Sequence, residues 1–238
     1  MTDTNAQIWK SEEVARSFAA MSAQRERERA EQLTFVARLL PFEKTDACAV
    51  LDLGAGTGAA SRAVLNEYPR ATLYLAEYSP QMTAEGRRLL TEFEGRYHYV
   101  EFDMLGSDWP STLPERVDAV VSALAIHHLP DERKRSLFKE IRQRLAPGGW
   151  FINYDPIRAP DAQMEHIWQR VNDVYDPSAQ DKRTHRTEQE QLRYENHVRY
   201  MIPLAPQLQW LEEAGFADID VFWKRLDWVI YGGRNPTS

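Results

Sequence analysis

The sequence has one cysteine, no apolar run approaching the roughly 20 residues that cross a bilayer, and no excess of basic residues. The single thiol, Cys48, excludes an internal disulfide and a cysteine-based zinc site. Its position at the head of an apolar run predicts a buried thiol rather than a nucleophile. The first residues also lack the apolar core and small-residue cleavage site of a secretory signal, so we expect a cytoplasmic protein without a membrane span.

The charge balance is acidic, with 29 basic and 36 acidic residues and a net charge of -7. This balance disfavours nucleic acid as the main partner, because phosphate binding depends on clustered lysine and arginine. An enzyme that modifies tRNA remains an alternative. With 43% hydrophobic and 27% charged residues, the 238-residue chain has the composition of an ordinary globular protein, and we expect a single domain of undetermined oligomeric state.

Short apolar runs alternate with longer amphipathic ones through the middle of the chain, a pattern typical of βαβ units around a parallel sheet. The predicted strands are 48–53, 71–77, 97–102, 117–124 and 149–154. The predicted parts of the domain are an N-terminal helical cover at 1–45, a core at 46–156, a helical insertion at 157–203, and a C-terminal helix and antiparallel hairpin at 204–238. The fold class that follows is α/β, with a doubly wound sheet.

The glycine-rich turn LDLGAGTGA follows the first predicted strand. Glycines at alternate positions let the backbone bend sharply and let a ligand approach the main chain. Two ligands fit the spacing. The pattern Gly54-x-Gly56-x-x-Ala59 suits a dinucleotide and hence a nicotinamide-dependent oxidoreductase, whereas Asp52-x-Gly54-x-Gly56-x-Gly58 suits S-adenosylmethionine.

Acidic residues end three successive predicted strands and favour the second ligand. Asp52 would repel a pyrophosphate but suits the ammonium group of a methionine moiety. Glu77 suits the hydroxyls of an adenosine ribose, and Asp103 suits the exocyclic amine of adenine. Together these three carboxylates would surround a cationic sulfonium cofactor.

Five runs resemble, in order, the class I S-adenosylmethionine-dependent methyltransferases: AVLDLGAGTG, LAEYSPQM, VEFDML, VDAVVSALAIHHLPD and RLAPGGWFINYD. The terminal LEEAGFADIDVFWKRLDWVIYGG is similar to that family's last helix and hairpin. The resemblance implies a Rossmann-like seven-stranded sheet in the order 3-2-1-4-5-7-6 with the last strand antiparallel. It also implies methyl transfer to an O, N or C atom of a small-molecule acceptor, with S-adenosylhomocysteine as a product. The implied cofactor contacts are Asp52, Gly54, Ala55, Gly56, Gly58, Glu77, Tyr78, Met82, Asp103, Met104 and Ala123.

Four residues near the expected methyl group are candidates for a general base. His127 and His128 follow the fourth strand, and Tyr154 and Asp155 end the fifth, at the edge of the sheet where the acceptor would bind. Asp155 is followed by Pro156 rather than by a second metal-binding side chain, so the sequence predicts no metal.

The covering segments supply the candidates for acceptor and lid contacts: Phe18, Arg29, Trp168, Arg193, Tyr194, His197 and Arg199. The layout is also similar to that of the carboxy-S-adenosylmethionine synthases, which use an arginine of the insertion to bind the cofactor's extra carboxylate. Arg193 or Arg199 falls in roughly that place. The intact GAGTG turn and the arginines of the helical lead-in favour ordinary methyl transfer. A non-catalytic module that binds S-adenosylmethionine is a further alternative.

Overall fold

A computed structural model describes residues 27, 29–176 and 183–237, which form a seven-stranded sheet with helices on both faces. The strands are β1 (Ala49–Leu53), β2 (Thr72–Glu77), β3 (Tyr97–Glu101), β4 (Val117–Ala123), β5 (Leu145–Pro156), β6 (Ala217–Arg225) and β7 (Trp228–Arg234). The helices are α1 (29–38), α2 (Ala59–Glu67), α3 (Pro80–Leu89), α4 (Asp131–Arg144), α5 (Ala162–Tyr175), α6 (Glu188–Val198) and α7 (Leu204–Ala214).

The strand order is 3-2-1-4-5-7-6, which confirms the predicted order. Strands β1 to β5 run parallel, whereas β7 pairs antiparallel with both β5 and β6. β1 therefore lies between β2 and β4, and the chain crosses the sheet in opposite directions on its two sides. In doubly wound sheets this switch point opens a crevice at the carboxyl ends of the strands, where ligands bind.

The two faces of the sheet bury separate apolar cores, because successive side chains of a strand point to opposite sides. Leu51 and Leu53 of β1 belong to the core that also contains residues of α4 and α7. Val50 belongs to the core that contains residues of α1 and α2. By the same alternation, Asp52 points to the α2 side. The buried core position of Cys48, whose pKa burial raises to about 11, confirms the predicted inert thiol.

The N-terminal cover is described only from α1 onward, and Phe18 lies outside the described residues. Leu33 and Val36 of α1 are buried, and the hydroxyl of Tyr68 donates to the carbonyls of Ala37 and Leu40 at 3.1 and 2.9 Å. These contacts fix α1 on the sheet face above β1. Within the part of the chain that the structure describes, no helix combines the length and the apolar character needed to span a membrane.

β5 begins earlier than predicted. The strand starts at Leu145, which pairs with Val117, and the register shifts before Ala119 pairs with Trp150. The Pro-Gly-Gly sequence between these pairs predicted a helix stop followed directly by a strand at 149, whereas the shift in register accommodates the three residues inside the strand. The carboxyl end of β5, which carries Tyr154 and Asp155, is unaffected.

Candidate active site

The turn between β1 and α2 is formed by three glycines in the left-handed region, with φ of +67° at Gly54, +55° at Gly56 and +82° at Gly58. A Cβ atom at Gly54 would lie 2.4 Å from the Cβ of Ala125, which follows β4. Both the backbone conformation and the close approach of β4 therefore require glycine at this position. The packing brings the ends of β1 and β4 together at the switch point.

Asp52 stabilises this turn through hydrogen bonds from the helix that follows it. Its Oδ2 accepts hydrogen bonds from the hydroxyl and the backbone N–H of Ser61 at 2.6 and 3.1 Å, which ties β1 to α2. The side chain is only 1% exposed, and burial, with the nearby Glu77 carboxylate, raises its pKa to about 6. The sequence singled out Asp52 but missed Ser61, because a serine inside a helix carries no signal of this contact.

Glu77 holds the turn from the end of β2. Its Oε2 accepts from the backbone N–H of Gly56 and its Oε1 accepts from that of Ser79, both at 2.7 Å. Burial raises the pKa of this carboxyl above its ordinary value. A carboxylate has about four acceptor positions. The backbone N–H of Tyr78 also bonds to this carboxylate, and the three backbone bonds together leave acceptor capacity for a ligand's hydroxyl.

Two methionines flank the glycine turn. The Cε of Met82, on α3, would lie 3.3 Å from a Cβ at Gly56, and the Cε of Met104, after β3, would lie 2.9 Å from a Cβ at Gly54. Asp103 is exposed, and its Oδ1 accepts from the backbone N–H of Leu105 at 2.9 Å. The remaining predicted contacts lie at or just after the ends of β1, β2 and β4 and are half-buried or at the border of burial: Ala55, Tyr78 and Ala123.

A cluster of three histidines lies beside the end of β4. His127 is 3% exposed; its Nδ1 lies 2.7 Å from Asp155 Oδ1, and its backbone N–H donates to Asp155 Oδ2 at 3.1 Å. The ring centroid of His128 lies 3.9 Å from that of His127. His197 reaches the pair from α6, where its Nδ1 lies 3.4 Å from His127 Nε2. The structure therefore joins two base candidates with a residue predicted to belong to the lid.

The electrostatics of the cluster keep His127 and His128 neutral. Burial is the main reason that the pKa of His127 and that of His128 lie well below the usual histidine value, and the neighbouring imidazoles lower them further. Burial also raises the pKa of Asp155 to about 6. We assign Asp155 as an ionised acceptor at neutral pH, because two N–H donors of His127 converge on it. His127 Nε2 is then the lone-pair nitrogen of the ring.

Asp155 is held by a buried polar network that sequence reasoning missed. The amide of Asn153 donates to Asp155 Oδ2 and to the Tyr231 hydroxyl, both at 3.0 Å, and that hydroxyl donates to Gln207 Oε1 at 2.7 Å. The network joins β5, β7 and α7. Its members are up to 78 residues apart, so no local pattern could predict their contact.

Tyr154 packs against two tryptophan rings, on the face of β5 opposite that of Asp155. Its ring centroid is 6.3 Å from that of Trp223 and 5.7 Å from that of Trp228. The guanidinium of Arg29 lies 4.4 Å from the centre of the Trp228 ring, a cation–π contact. Burial raises the pKa of Tyr154 to about 12, so its phenol stays protonated at neutral pH. Tyr154 is therefore a poor base at neutral pH.

The other predicted lid residues lie in two places, Trp168 in a core of the sheet and the rest on α6 or at its end. Trp168 is 7% exposed and belongs to an apolar core of the sheet, with Lys224 Nζ 4.5 Å from its ring centre. Tyr194 is 39% exposed beneath the guanidinium of Arg186. Arg199 is exposed at the end of α6, and of Arg193 only the backbone position within α6 is described.

Comparisons with known proteins give a consistent result. Residues 50–149 match a family model described as a methyltransferase domain. The chain is 34% identical over 122 residues to an ornithine lipid N-methyltransferase of Singulisphaera acidiphila, an alignment that covers 48% of this chain and 59% of that protein. It is 27% identical over 193 residues to a carboxy-S-adenosyl-L-methionine synthase of Chromohalobacter salexigens. This alignment covers 76% of this chain and 66% of that protein.

Solved structures share the fold at low sequence identity. Human N-acetylserotonin methyltransferase in complex with S-adenosylmethionine superposes with a TM-score of 0.64 at 18% identity, covering 97% of this chain and 58% of that chain. At this identity the likeness concerns the fold alone. The chain spans less than two thirds of the length of each of these relatives.

Proposed function

We propose that the chain transfers a methyl group from S-adenosylmethionine to a small-molecule acceptor, because residues 50–149 match a methyltransferase domain and the sheet has the strand order that the resemblance implied. The observation that carries this proposal is the hydrogen bond between the left-handed glycine turn and the Glu77 carboxylate at the switch point. An adenosyl group requires a glycine turn that a ligand can approach closely and a carboxylate with acceptor capacity.

The proposed cofactor position follows from these two features. The ribose donates to Glu77, whose carboxylate keeps acceptor capacity beyond its bonds to the backbone of Gly56, Tyr78 and Ser79. The methionine moiety lies along Gly54 and Ala55 toward Ala123, and the adenine lies on the side of Tyr78, Met82, Asp103 and Met104. Asp52 acts from below, since it is bonded to Ser61 and contributes its negative field rather than an exposed oxygen.

Methyl transfer from a sulfonium needs the acceptor atom in line with the S–CH3 bond, so positioning supplies most of the acceleration. Four residues were candidates for a base that activates the acceptor. Tyr154 stays protonated and Asp155 is 1% exposed and bonded to His127, which favours the histidine pair. We therefore propose that His127 and His128 present neutral nitrogen lone pairs to the acceptor.

A second function has one observation in its favour. The alignment with the carboxy-S-adenosyl-L-methionine synthase is longer than that with the N-methyltransferase, 193 residues against 122. An enzyme of that kind would attach a carboxyl group to the cofactor instead of transferring its methyl group. The resemblance offered Arg193 or Arg199 for the added carboxylate, and of these two the side chain of Arg199 is described, stacked near the ring of Tyr200.

One experiment separates the two. The full chain is incubated with methyl-labelled S-adenosylmethionine and a metabolite extract, and the products are resolved by mass spectrometry. We expect S-adenosylhomocysteine together with label on a small molecule. A cofactor heavier by one carboxyl group would establish the second function instead, label on RNA would identify a tRNA-modifying enzyme, and cofactor binding with no label moved would identify a non-catalytic module.

A further inference from the structure

We propose that His127, His128 and His197 form a binding site for a divalent transition-metal ion such as Zn²⁺, at the acceptor end of the cleft. One ring nitrogen of each histidine lies within 4.8 Å of those of the other two. No metal was expected from the sequence, because Pro156 rather than a second oxygen ligand follows Asp155. The third histidine comes from α6, 69 residues after His128, and only the fold shows that it joins the pair.

The spacing of two ring nitrogens matches a shared ion. Two nitrogens that each bind a tetrahedral ion at about 2.0–2.1 Å are about 3.3–3.4 Å apart. His127 Nε2 and His197 Nδ1 are 3.4 Å apart. This separation is at the long end for a hydrogen bond, since N–H···O bonds are about 2.7–3.2 Å long. The distance therefore suits two lone pairs that point at one cation.

The partner of His127 is the one that metal-binding histidines require. Asp155 accepts from Nδ1, which fixes the tautomer and directs the Nε2 lone pair toward the cluster. Asn153 in turn holds Asp155. A carboxylate behind a histidine in this way orients the ring and raises its basicity toward a metal.

His197 is held in place by the residues around the end of α6. The Lys134 ammonium, 1% exposed, donates to the carbonyl of Tyr200, and Arg158 donates to the carbonyl of Val198 at 3.2 Å. The backbone N–H of Arg158 also donates to Ile202 at 3.0 Å. These bonds fix the backbone directly after His197, at the C-terminal end of α6.

The donor set selects the type of ion. Three imidazole ligands suit Zn²⁺, Cu²⁺ or Ni²⁺, whereas Mg²⁺ and Ca²⁺ prefer oxygen ligands. Arg29 and Lys134 lie close enough to act on the charge of His127. These two cations weaken the binding of a dication, and the Asp155 carboxylate offsets part of their effect. We therefore expect weaker binding than at a structural zinc site.

Three protein ligands leave a fourth position open, as in catalytic zinc sites. The role of that position rests on the proposed methyl transfer, whereas the metal site itself does not. With the ion bound, the lone pairs of His127 and His128 are occupied, and the ion replaces these histidines in activating the acceptor. A hydroxyl of the acceptor bound there loses its proton to water more readily, because the cation stabilises the oxyanion. The oxygen then forms a bond to the methyl carbon, the C–S bond breaks, and its electron pair stays on sulfur, which gives S-adenosylhomocysteine.

The test is a Zn²⁺ titration of the untagged full chain by competition with a chromophoric chelator. We expect one Zn²⁺ per chain, and His197→Ala should weaken binding by at least about tenfold, the scale on which even indirect metal contacts act. His185→Ala is the matched control, because His185 is an exposed histidine of the same segment and should leave the affinity unchanged.

Two further measurements keep the outcome decisive. Co²⁺ in place of Zn²⁺ should give the visible bands of a tetrahedral nitrogen site in the wild type and lose them in His197→Ala. Wild-type protein that binds no Zn²⁺, or equal affinity in His197→Ala and wild type, overturns the metal site. Calorimetry with S-adenosylhomocysteine on the same samples reports on the cofactor site alone, so a failed metal site is distinguishable from a failed methyltransferase assignment.

Discussion

Glu77→Gln tests the proposed ribose site with little change in volume. The amide keeps one oxygen, but its NH2 group must face the backbone N–H of either Gly56 or Ser79, where the carboxylate now accepts at 2.7 Å. Loss of charge-assisted hydrogen bonds to the ribose should weaken cofactor binding by about 1–3 kcal/mol. Since 1.4 kcal/mol corresponds to a factor of ten, the Kd for S-adenosylhomocysteine should rise about 5- to 150-fold.

Calorimetry with S-adenosylhomocysteine measures this change. Glu101→Gln is the matched control, because Glu101 pairs with Glu77 in the β2–β3 register but is exposed. The affinity of this variant for S-adenosylhomocysteine should equal that of the wild type. Burial raises the pKa of Glu77, so wild-type binding should weaken as the pH falls, beginning above the ordinary glutamate range, and Glu77→Gln should lack this dependence. A wild-type Kd in Glu77→Gln would refute the placement of the ribose.

Three further substitutions test the supports of the site. Gly54→Ala should abolish cofactor binding, because the new Cβ would lie 2.4 Å from the Cβ of Ala125. Gly95→Ala is the control: Gly95 also has a positive φ, but no atom lies within 4 Å of an added Cβ. This control should lose only about 1–2 kcal/mol of stability and keep its cofactor binding. The pKa of Asp52 is about 6 when folded against about 3.9 unfolded, so its contribution to stability is present below pH 4 and is lost as the pH rises through 6. Urea titrations should show the unfolding free energy of the wild type falling by on the order of 2–3 kcal/mol relative to Asp52→Asn over that range, and parallel curves would contradict the shift. Trp168→Ala should lower stability by about 3–5 kcal/mol while the affinity for S-adenosylhomocysteine stays unchanged, whereas lost turnover at wild-type stability would restore its predicted role in the lid.

The sequence predicts the central part of the fold well, because its signals are local. Alternating apolar runs predict β1 to β5 within a few residues, and the glycines of the first turn predict the left-handed conformations found there. The strand order was implied by the resemblance to class I S-adenosylmethionine-dependent methyltransferases, and the observed topology confirms that order.

The details of the site depend on contacts that no local pattern encodes. The bond from Ser61 to Asp52 depends on how α2 packs against β1, and it makes Asp52 a support of the turn. His197 joins His127 only because α6 folds back over the end of β4, 70 residues along the chain. Trp168 lay on a helical stripe compatible with both core and lid, and packing places it in a core of the sheet.

The central claim is that the glycine turn holds an adenosyl cofactor of methyl transfer rather than a dinucleotide. Calorimetric titration of the full chain with S-adenosylhomocysteine and, separately, with NAD tests it most directly. We expect S-adenosylhomocysteine to bind with one site per chain and NAD to give no binding heat. Tighter binding of NAD than of S-adenosylhomocysteine, or binding of neither, would contradict the account.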